Sequence, residues 1–469
     1  MKIDAFIKFN ESNIIKTVSD LISFKSISNE TGNSEMPFGE ECKKALDYTL
    51  ELGKKMGFRT KNLDGYCGYI EFGEGEELVG IIGHLDVVQA DYEDGWNSDP
   101  FKADIRDNKL YGRGAIDDKG PVVASLYAMK YVAENLKVNK RVRLILGLNE
   151  EKDWKCIRYY KQLEESPTIS FSPDADFPAI YAEKGILSLE ILNKFDLNGF
   201  EILDLDTNGN ALNVVPQFAS IKLKYTGTGN CLNFLEEDNI KVIDLGEKTF
   251  KIESNGISSH AAYPSKGKNA ITILLKYLLK YIKSDYIQTL FNLGFFDMES
   301  PEFLSRQDIT LPTEFFESSV IQDESGILTS NVSDFKYEDK CIKIKVNLRV
   351  PVNTSLDKIL LQYRKLSNIF ENLQVKELGR EEALNVDKNS FLVTKLVDIY
   401  NKVTCSKKEA IAIGGGTYAR AFKNCIAYGA TIPGEPDMCH QVDEFIKLDN
   451  LFLCCKIYSQ AIFELANNN

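Results

Sequence analysis

The chain has 469 residues, 43% hydrophobic and 27% charged, with a net charge of −13. This is the composition of a soluble globular protein of two or three domains, and no basic cluster stands clear of mixed-sign neighbours, which argues against a nucleic-acid surface. No apolar run approaches the roughly 18 residues of a membrane span, and the amino terminus lacks the apolar centre and cleavage site of a signal peptide.

In chain order, residues 12–24 (SNIIKTVSDLISF) place apolar residues at helical spacing behind Ser12, a candidate N-cap. The residues before them alternate polar and apolar. A second helix is predicted over 38–57, ended by Gly57. Strand patterns follow at 67–72, 78–84 and 142–148, with a helix over about 119–136 between the last two. That order suggests βαβ units and a mixed or parallel sheet. From about 187 to 380 the segments SLEILNKF, FASIKLKYTG, KTFKIESNG and KCIKIKVNLRV alternate with period two, as in a half-exposed antiparallel sheet. Two helical patterns interrupt them: 264–282, with Ile271, Leu274, Leu278 and Ile282 on one stripe, and 355–370. After about 385, helix and buried-strand patterns return, and residues 445–466 close the chain with Leu448, Leu451, Cys455 and Ile462 on one face. The expected fold is α/β: a domain with a mixed, mostly parallel sheet flanked by helices (1–186 and 383–469), interrupted by an inserted α+β domain with antiparallel sheet (187–382), long enough for two subdomains.

Ten cysteines form no CxxC pair, the usage of a reducing compartment, so a cytoplasmic protein is expected. Histidine is scarce: His84, His260 and His440 are the only three. In IIGHLDVV (81–88), His84 and Asp86 project to one face at the carboxyl end of a buried strand, where α/β sheets place ligand sites. Taken alone, the pair is better read as a core histidine satisfied by its neighbour. In LYGRGAIDDKG (110–120), Asp117 and Asp118 follow glycines and precede a helix, so either could be a cap or a carboxylate pressed toward a metal. LILGLNEEKDW (144–154) ends a strand in Glu150–Glu151, and adjacent carboxylates repel unless a cation lies near or one keeps its proton. A surface acid pair is the alternative. Asp174 and Asp176 in SFSPDADFP (170–178) fit a carboxylate ligand or a turn, and PDMCHQVDEF (436–445) puts His440 just ahead of the last helix. Together these residues supply imidazole and carboxylate without thiolate, a donor set suited to catalytic zinc or manganese and to a two-metal hydrolase.

The ordered set GHLDVV, DGW…DPF, LYGRGAIDDKGP, NEEKDWKC, SPDADFPAIYAEKG, GGGTYAR and the terminal histidine resembles the dinuclear zinc dipeptidases related to carnosinase and aminoacylase. It looks most like their bacterial dipeptidase V (Xaa-His dipeptidase) branch, from about residue 12 to the carboxyl end. The resemblance implies two zinc ions, with manganese or cobalt as substitutes. His84, Asp174 and the bridging Asp117 would hold one ion; Glu151, His440 and Asp117 would hold the other. Asp86 would orient His84, Asp118 would support the site from behind, and Glu150 would be the general base. GISSHAAYPSKGKNA resembles the family's lid motif, making His260 the donor to the scissile carbonyl. Asn213 of NVVP, Arg349 of NLRVP, and Gly415 and Gly416 of GGGTYAR would hold the substrate carboxylate. The 187–382 insertion would be the lid on the catalytic domain, and its length matches the monomeric branch. The resemblance thus implies a monomeric dipeptidase acting on small unblocked dipeptides, with no nucleic-acid or membrane partner. The rival within the class is an N-acyl amino-acid deacylase of desuccinylase or aminoacylase type on the same metal core. A non-catalytic binding module would have lost these positions, and a serine or cysteine hydrolase lacks its GxSxG elbow or Cys/His pair.

Overall fold

A computed structural model describes residues 2–194, 197–209, 211–228, 233–305 and 320–468. The chain forms two compact units. One comprises Met1–Tyr181, Asn385–Ile411 and Gly416–Asn469; the other comprises Ala182–Leu384 and Ala412–Gly415.

The first unit begins with α1 (Ile3–Ile22) and α2 (Glu40–Lys55). The first helix starts well before the expected Ser12. Phe6 and Ile7 are buried in line with Ile14, Val18, Leu21 and Ile22, so the apolar face continues back through residues whose local pattern reads as alternation. Strands β1 (Arg59–Leu63), β2 (Cys67–Phe72) and β3 (Leu78–His84) follow, then α3 (Lys119–Asn135), β4 (Arg141–Gly147), α4 (Lys155–Leu163), β5 (Ile169–Ser172) and β6 (Ile180–Glu183).

The second unit holds β7 (Gly185–Asn193), β8 (Phe200–Asp206), β9 (Phe218–Tyr225), β10 (Ile240–Gly246), β11 (Thr249–Asn255), α5 (Ala270–Tyr281), α6 (Asp285–Asn292), β12 (Thr329–Glu338), β13 (Cys341–Val350), α7 (Leu356–Lys365) and β14 (Gln374–Glu381). The chain then returns to the first unit with α8 (Phe391–Thr404), β15 (Cys425–Ala427) and α9 (Leu448–Ala466).

In the first unit the sheet order is β1-β2-β4-β3-β5-β15-β6. Its centre is parallel, β4 and β5 flanking β3 and β15 following β5; β1–β2, β2–β4 and β15–β6 pair antiparallel. All seven residues of β3 are buried, as befits a strand covered on both faces. The crossover β3–α3–β4 is the anticipated βαβ unit. Its register sets His84 opposite Gly147, so the residues after β3 and after β4 emerge at the same end of the sheet. Helices α1, α3 and α9 pack together beside β3, while α2 and α4 lie on β2.

The second unit contains two antiparallel sheets, β12-β13-β7-β14 and β8-β9-β11-β10. Helix α7 packs on the first and α5 on the second, and their apolar residues make one contiguous core that includes Leu187, Ile221, Leu274, Val346 and Tyr363. The stripe Ile271, Leu274, Leu278 and Ile282 is buried as its spacing requires. The eight-residue α6 was not signalled by the pattern; Ser284 caps it by accepting a hydrogen bond from the Ile287 amide. Among the described residues, no helix is long and apolar enough to cross a membrane.

Candidate metal centre

His84 is the last residue of β3 and is fully buried. Its Nδ1 lies 2.9 Å from the main-chain oxygen of Asp86. With Nδ1 donating there, Nε2 is the nitrogen that would face a metal once its own proton is lost. Nε2 faces Asp117 Oδ1 at 3.0 Å and Asp174 Oδ2 at 3.6 Å, yet makes no well-formed hydrogen bond. A buried ring nitrogen aimed at two carboxylates without such a bond fits a cation between them. The Asp86 carboxylate, expected to orient the imidazole, is 3.6 Å from Nδ1. Its two oxygens also accept the main-chain amides of Glu150 at 3.0 Å and Glu151 at 3.1 Å.

Asp117 stands between two imidazoles, its Oδ1 toward His84 and its Oδ2 3.1 Å from His440 Nε2. The loop before it bends at Gly114, whose φ of +88° is readily adopted only by glycine. Asp118 is buried beneath, accepting the His84 amide at 3.1 Å through Oδ2, while its Oδ1 has no partner. A feature absent from the sequence reading lies behind this loop. Glu444, fully buried, accepts the amides of Gly114, Ile116 and Asp117 and the guanidinium of Arg113. The only hint was its position four residues after His440, among other acids.

His440 is half-exposed and places Nε2 3.0 Å from Glu151 Oε2 as well as against Asp117. His84, Asp117 and Glu151 bring ligand atoms within 4.8 Å of one another, and so do His84, Glu150 and Asp174. With His440, these groups come from the ends of β3, β4 and β5 and from two loops, and four of the six are carboxylates. Their protonation reflects the crowding. Burial raises Glu150 well above the usual carboxylate range, and burial with Asp117 alongside pushes Glu151 up to about 7. Burial likewise raises Asp174 and Asp118. Burial works against charge on the imidazoles, but the acids around them win: His84 is raised well above its ordinary value and His440 to about 12. Burial also opposes charge on Asp117, yet its two imidazole partners hold it well below the usual range. In chemical terms, protonated imidazoles here stand in for cations. Imidazoles and carboxylates gathered in this way are donors that suit divalent metal ions.

The second unit carries four other expected residues. The segment around Val214 pairs antiparallel with that of His260, and the Asn213 oxygen accepts the Ala261 amide at 2.8 Å, so Asn213 and His260 are neighbours. The His260 Nδ1 accepts the Ala262 amide at 3.2 Å, which puts the ring proton of the neutral tautomer on Nε2. Arg349 is buried in β13; its Nε donates to Asn347 Oδ1 at 2.9 Å and its Nη1 to the Gly414 oxygen at 3.2 Å. Gly415 follows directly. Gly416 belongs to the first unit, where a Cβ on it would meet the Arg420 guanidinium at 3.0 Å.

The sheet-and-helix architecture matches solved structures of very different sequence. Human carnosine dipeptidase 1 superposes with a TM-score of 0.61 at 14% identity, over 99% of this chain and 98% of that one. Aminoacylhistidine dipeptidase from Vibrio alginolyticus gives 0.54 at 13% identity, over 96% of each. Bacillus subtilis YXEP, described as a dinuclear metal binding peptidase, gives 0.54 at 8% identity, over 98% and 99%. These structures share the fold of this chain. The chain belongs to peptidase family M20/M25/M40, whose sequence profile matches residues 80–464. Proteins named "Putative dipeptidase" share much more of the sequence: YtjP of Bacillus subtilis strain 168 is 37% identical, covering 97% of this chain and 98% of that protein, and one from Staphylococcus epidermidis is 34% identical over 97% of each.

Proposed function

We propose that this M20 peptidase is a dinuclear metallo-dipeptidase, cleaving the peptide bond of unblocked dipeptides with Glu150 as general base. The observation that carries the reading is Asp117, whose two oxygens face the imidazoles of His84 and His440 at 3.0 and 3.1 Å. Each imidazole has a further acid, Asp174 or Glu151, at 3.6 or 3.0 Å. His84, Asp174 and Asp117 would hold one ion, and Glu151, His440 and Asp117 the other. Zinc is the metal that the resemblance to dinuclear zinc dipeptidases favours, and manganese or cobalt are substitutes that the same imidazole and carboxylate donors accept. When bound, such a pair polarises the peptide carbonyl and lowers the pKa of the attacking water.

The chain's own residues do the rest. Glu150 takes the water's proton and passes it to the leaving amine. The desolvation that raises its pKa strengthens it as a base. Asp86 fixes its main chain, and Asp118 fixes that of His84. His260, with its proton on Nε2, donates to the developing oxyanion. Arg349 anchors the substrate carboxylate through its planar fork, with Asn213, Gly415 and Gly416 supplying further contacts. The Ala182–Leu384 unit is then a lid on a catalytic unit, and the enzyme works as a monomer, as in the dipeptidase V branch; a stable dimer in sedimentation would reject that last assignment.

The test is metal analysis of the purified protein with a substrate panel before and after chelation. Ala-Ala-type dipeptides and β-Ala-His should be cleaved by the metal-loaded protein alone. Undiminished activity after thorough metal removal overturns the mechanism. Cleavage of N-acetyl or N-succinyl amino acids in preference to free-amine dipeptides would assign a deacylase instead.

A further inference from the structure

A buried carboxylate is costly unless both oxygens are supplied with donors. Glu444 meets that condition using one short loop. Its Oε2 accepts Arg113 Nη1 at 2.7 Å and the Gly114 amide at 3.1 Å; its Oε1 accepts the amides of Ile116 at 2.9 Å and Asp117 at 3.2 Å. Four donors saturate the group, and Arg113 balances its charge, so Glu444 has no call on a cation. Arg113 does a second thing: its Nη2 donates to the main-chain oxygen of His440 at 3.4 Å. The pair therefore ties the loop that ends in Asp117 to the segment that carries His440. Those are the two side chains that meet at 3.1 Å on one side of the candidate centre. The loop is otherwise permissive, with glycines at φ +151° and +88°.

We propose that Arg113 and Glu444 are positioning residues for the second metal: they set the span between Asp117 and His440, and so decide whether Asp117 reaches both ions. This rests on the dinuclear reading above. A pair that served only the fold would affect stability without distinguishing one ion from the other.

The experiment titrates Co2+ into the metal-free full chain against a chromophoric chelator, for wild type and for Glu444→Gln. Glutamine keeps the shape but turns an amide NH2 toward two of the four donors. The expected result is one ion bound near wild-type affinity and the other weakened by about ten- to a hundredfold, the usual effect of disturbing a ligand's support. The visible cobalt spectrum should change in only one of its two components. Arg113→Lys keeps the charge but not the two-pronged reach, and should show the same selective loss even if Glu444→Gln does not fold. Glu71→Gln is the comparison for a purely structural pair, since Glu71 is buried in β2 against Arg143 at 2.6 Å; it should lower the melting temperature and leave both cobalt affinities unchanged. The proposal is overturned if Glu444→Gln and Arg113→Lys behave like Glu71→Gln, or if both ions weaken equally. Failure of the wild type itself to take up a second ion would instead reject the dinuclear reading.

Discussion

Asp86 holds Glu150 and Glu151 together by their main chains, one carboxylate oxygen to each amide, at 3.0 and 3.1 Å. On the proposed mechanism these consecutive residues have opposite tasks, one as base and one as ligand, so they must diverge reliably, and fixing both amides fixes the directions their side chains leave. Asp86→Asn supplies only one acceptor and sets a donor against the other amide. A buried unsatisfied amide costs about 1–3 kcal/mol, and a small displacement of the base costs on the order of 10²-fold in turnover. Asp86→Asn should therefore show a lower melting temperature and a kcat reduced by about that factor. Unchanged kcat would remove Asp86 from any positioning role.

Glu150→Gln separates base from ligand. The structure puts a Glu150 oxygen within 4.8 Å of ligand atoms on His84 and Asp174, close enough for water to lie between. If Glu150 only moves the proton, the variant keeps two ions by metal analysis and loses about 10²–10⁴-fold in kcat. Loss of an ion along with activity would make Glu150 a ligand.

The parts of this site that were legible in the sequence are those whose residue types conflict with their surroundings. A histidine ending the fully buried β3, an acid pair just past β4 and an aspartate just past β5 are poor core residues at the end of a parallel sheet where ligands bind. With only three histidines in the chain, His440 also stood out. Glu444 did not, because an acid among acids reads as surface; its burial depends on donors some 330 positions away, Arg113 being 331 residues distant. The start of α1 was missed for a related reason. Phe6 and Ile7 are buried by α1 packing with α3 and α9, partners that a local window does not contain. The alternation of 187–380 gave the antiparallel strands, but the single core shared by the two sheets follows from tertiary packing alone.

Arg349 is buried, with Nε and Nη1 engaged by Asn347 and Gly414. These bonds hold the guanidinium plane and would direct its fork toward a carboxylate. A hydrogen bond to a charged group contributes about 1.5–3 kcal/mol, so Arg349→Met should raise KM for dipeptides by about 10- to 100-fold. A substrate amidated at its carboxyl end should be affected far less. Equal losses on both substrates would reject the anchor assignment.

Metal loading should release protons, and its pH dependence is specific. In the metal-free protein His84 is raised well above 6.5 and His440 to about 12 by the acids facing them, so both imidazoles are charged at neutral pH and must deprotonate to bind metal. Calorimetric titration in buffers of different ionisation heat should give roughly two protons released per pair of ions at pH 8.5, with a further fraction from Glu151 as the pH falls toward 7. Ordinary imidazoles would release almost none at the upper end. The same shift governs stability. A group with its folded pKa raised stabilises fully below the unfolded value, 6.5 for histidine, and that contribution is lost as pH rises toward the folded value. Glu151, pushed from 4.5 up to about 7, acts in the same direction over its lower range. The metal-free protein should therefore melt at a lower temperature at pH 9 than at pH 6.5, whereas the metal-loaded protein should lack this component of the slope. Parallel melting curves for the two forms across that range would show that these imidazoles do not exchange their protons for metal.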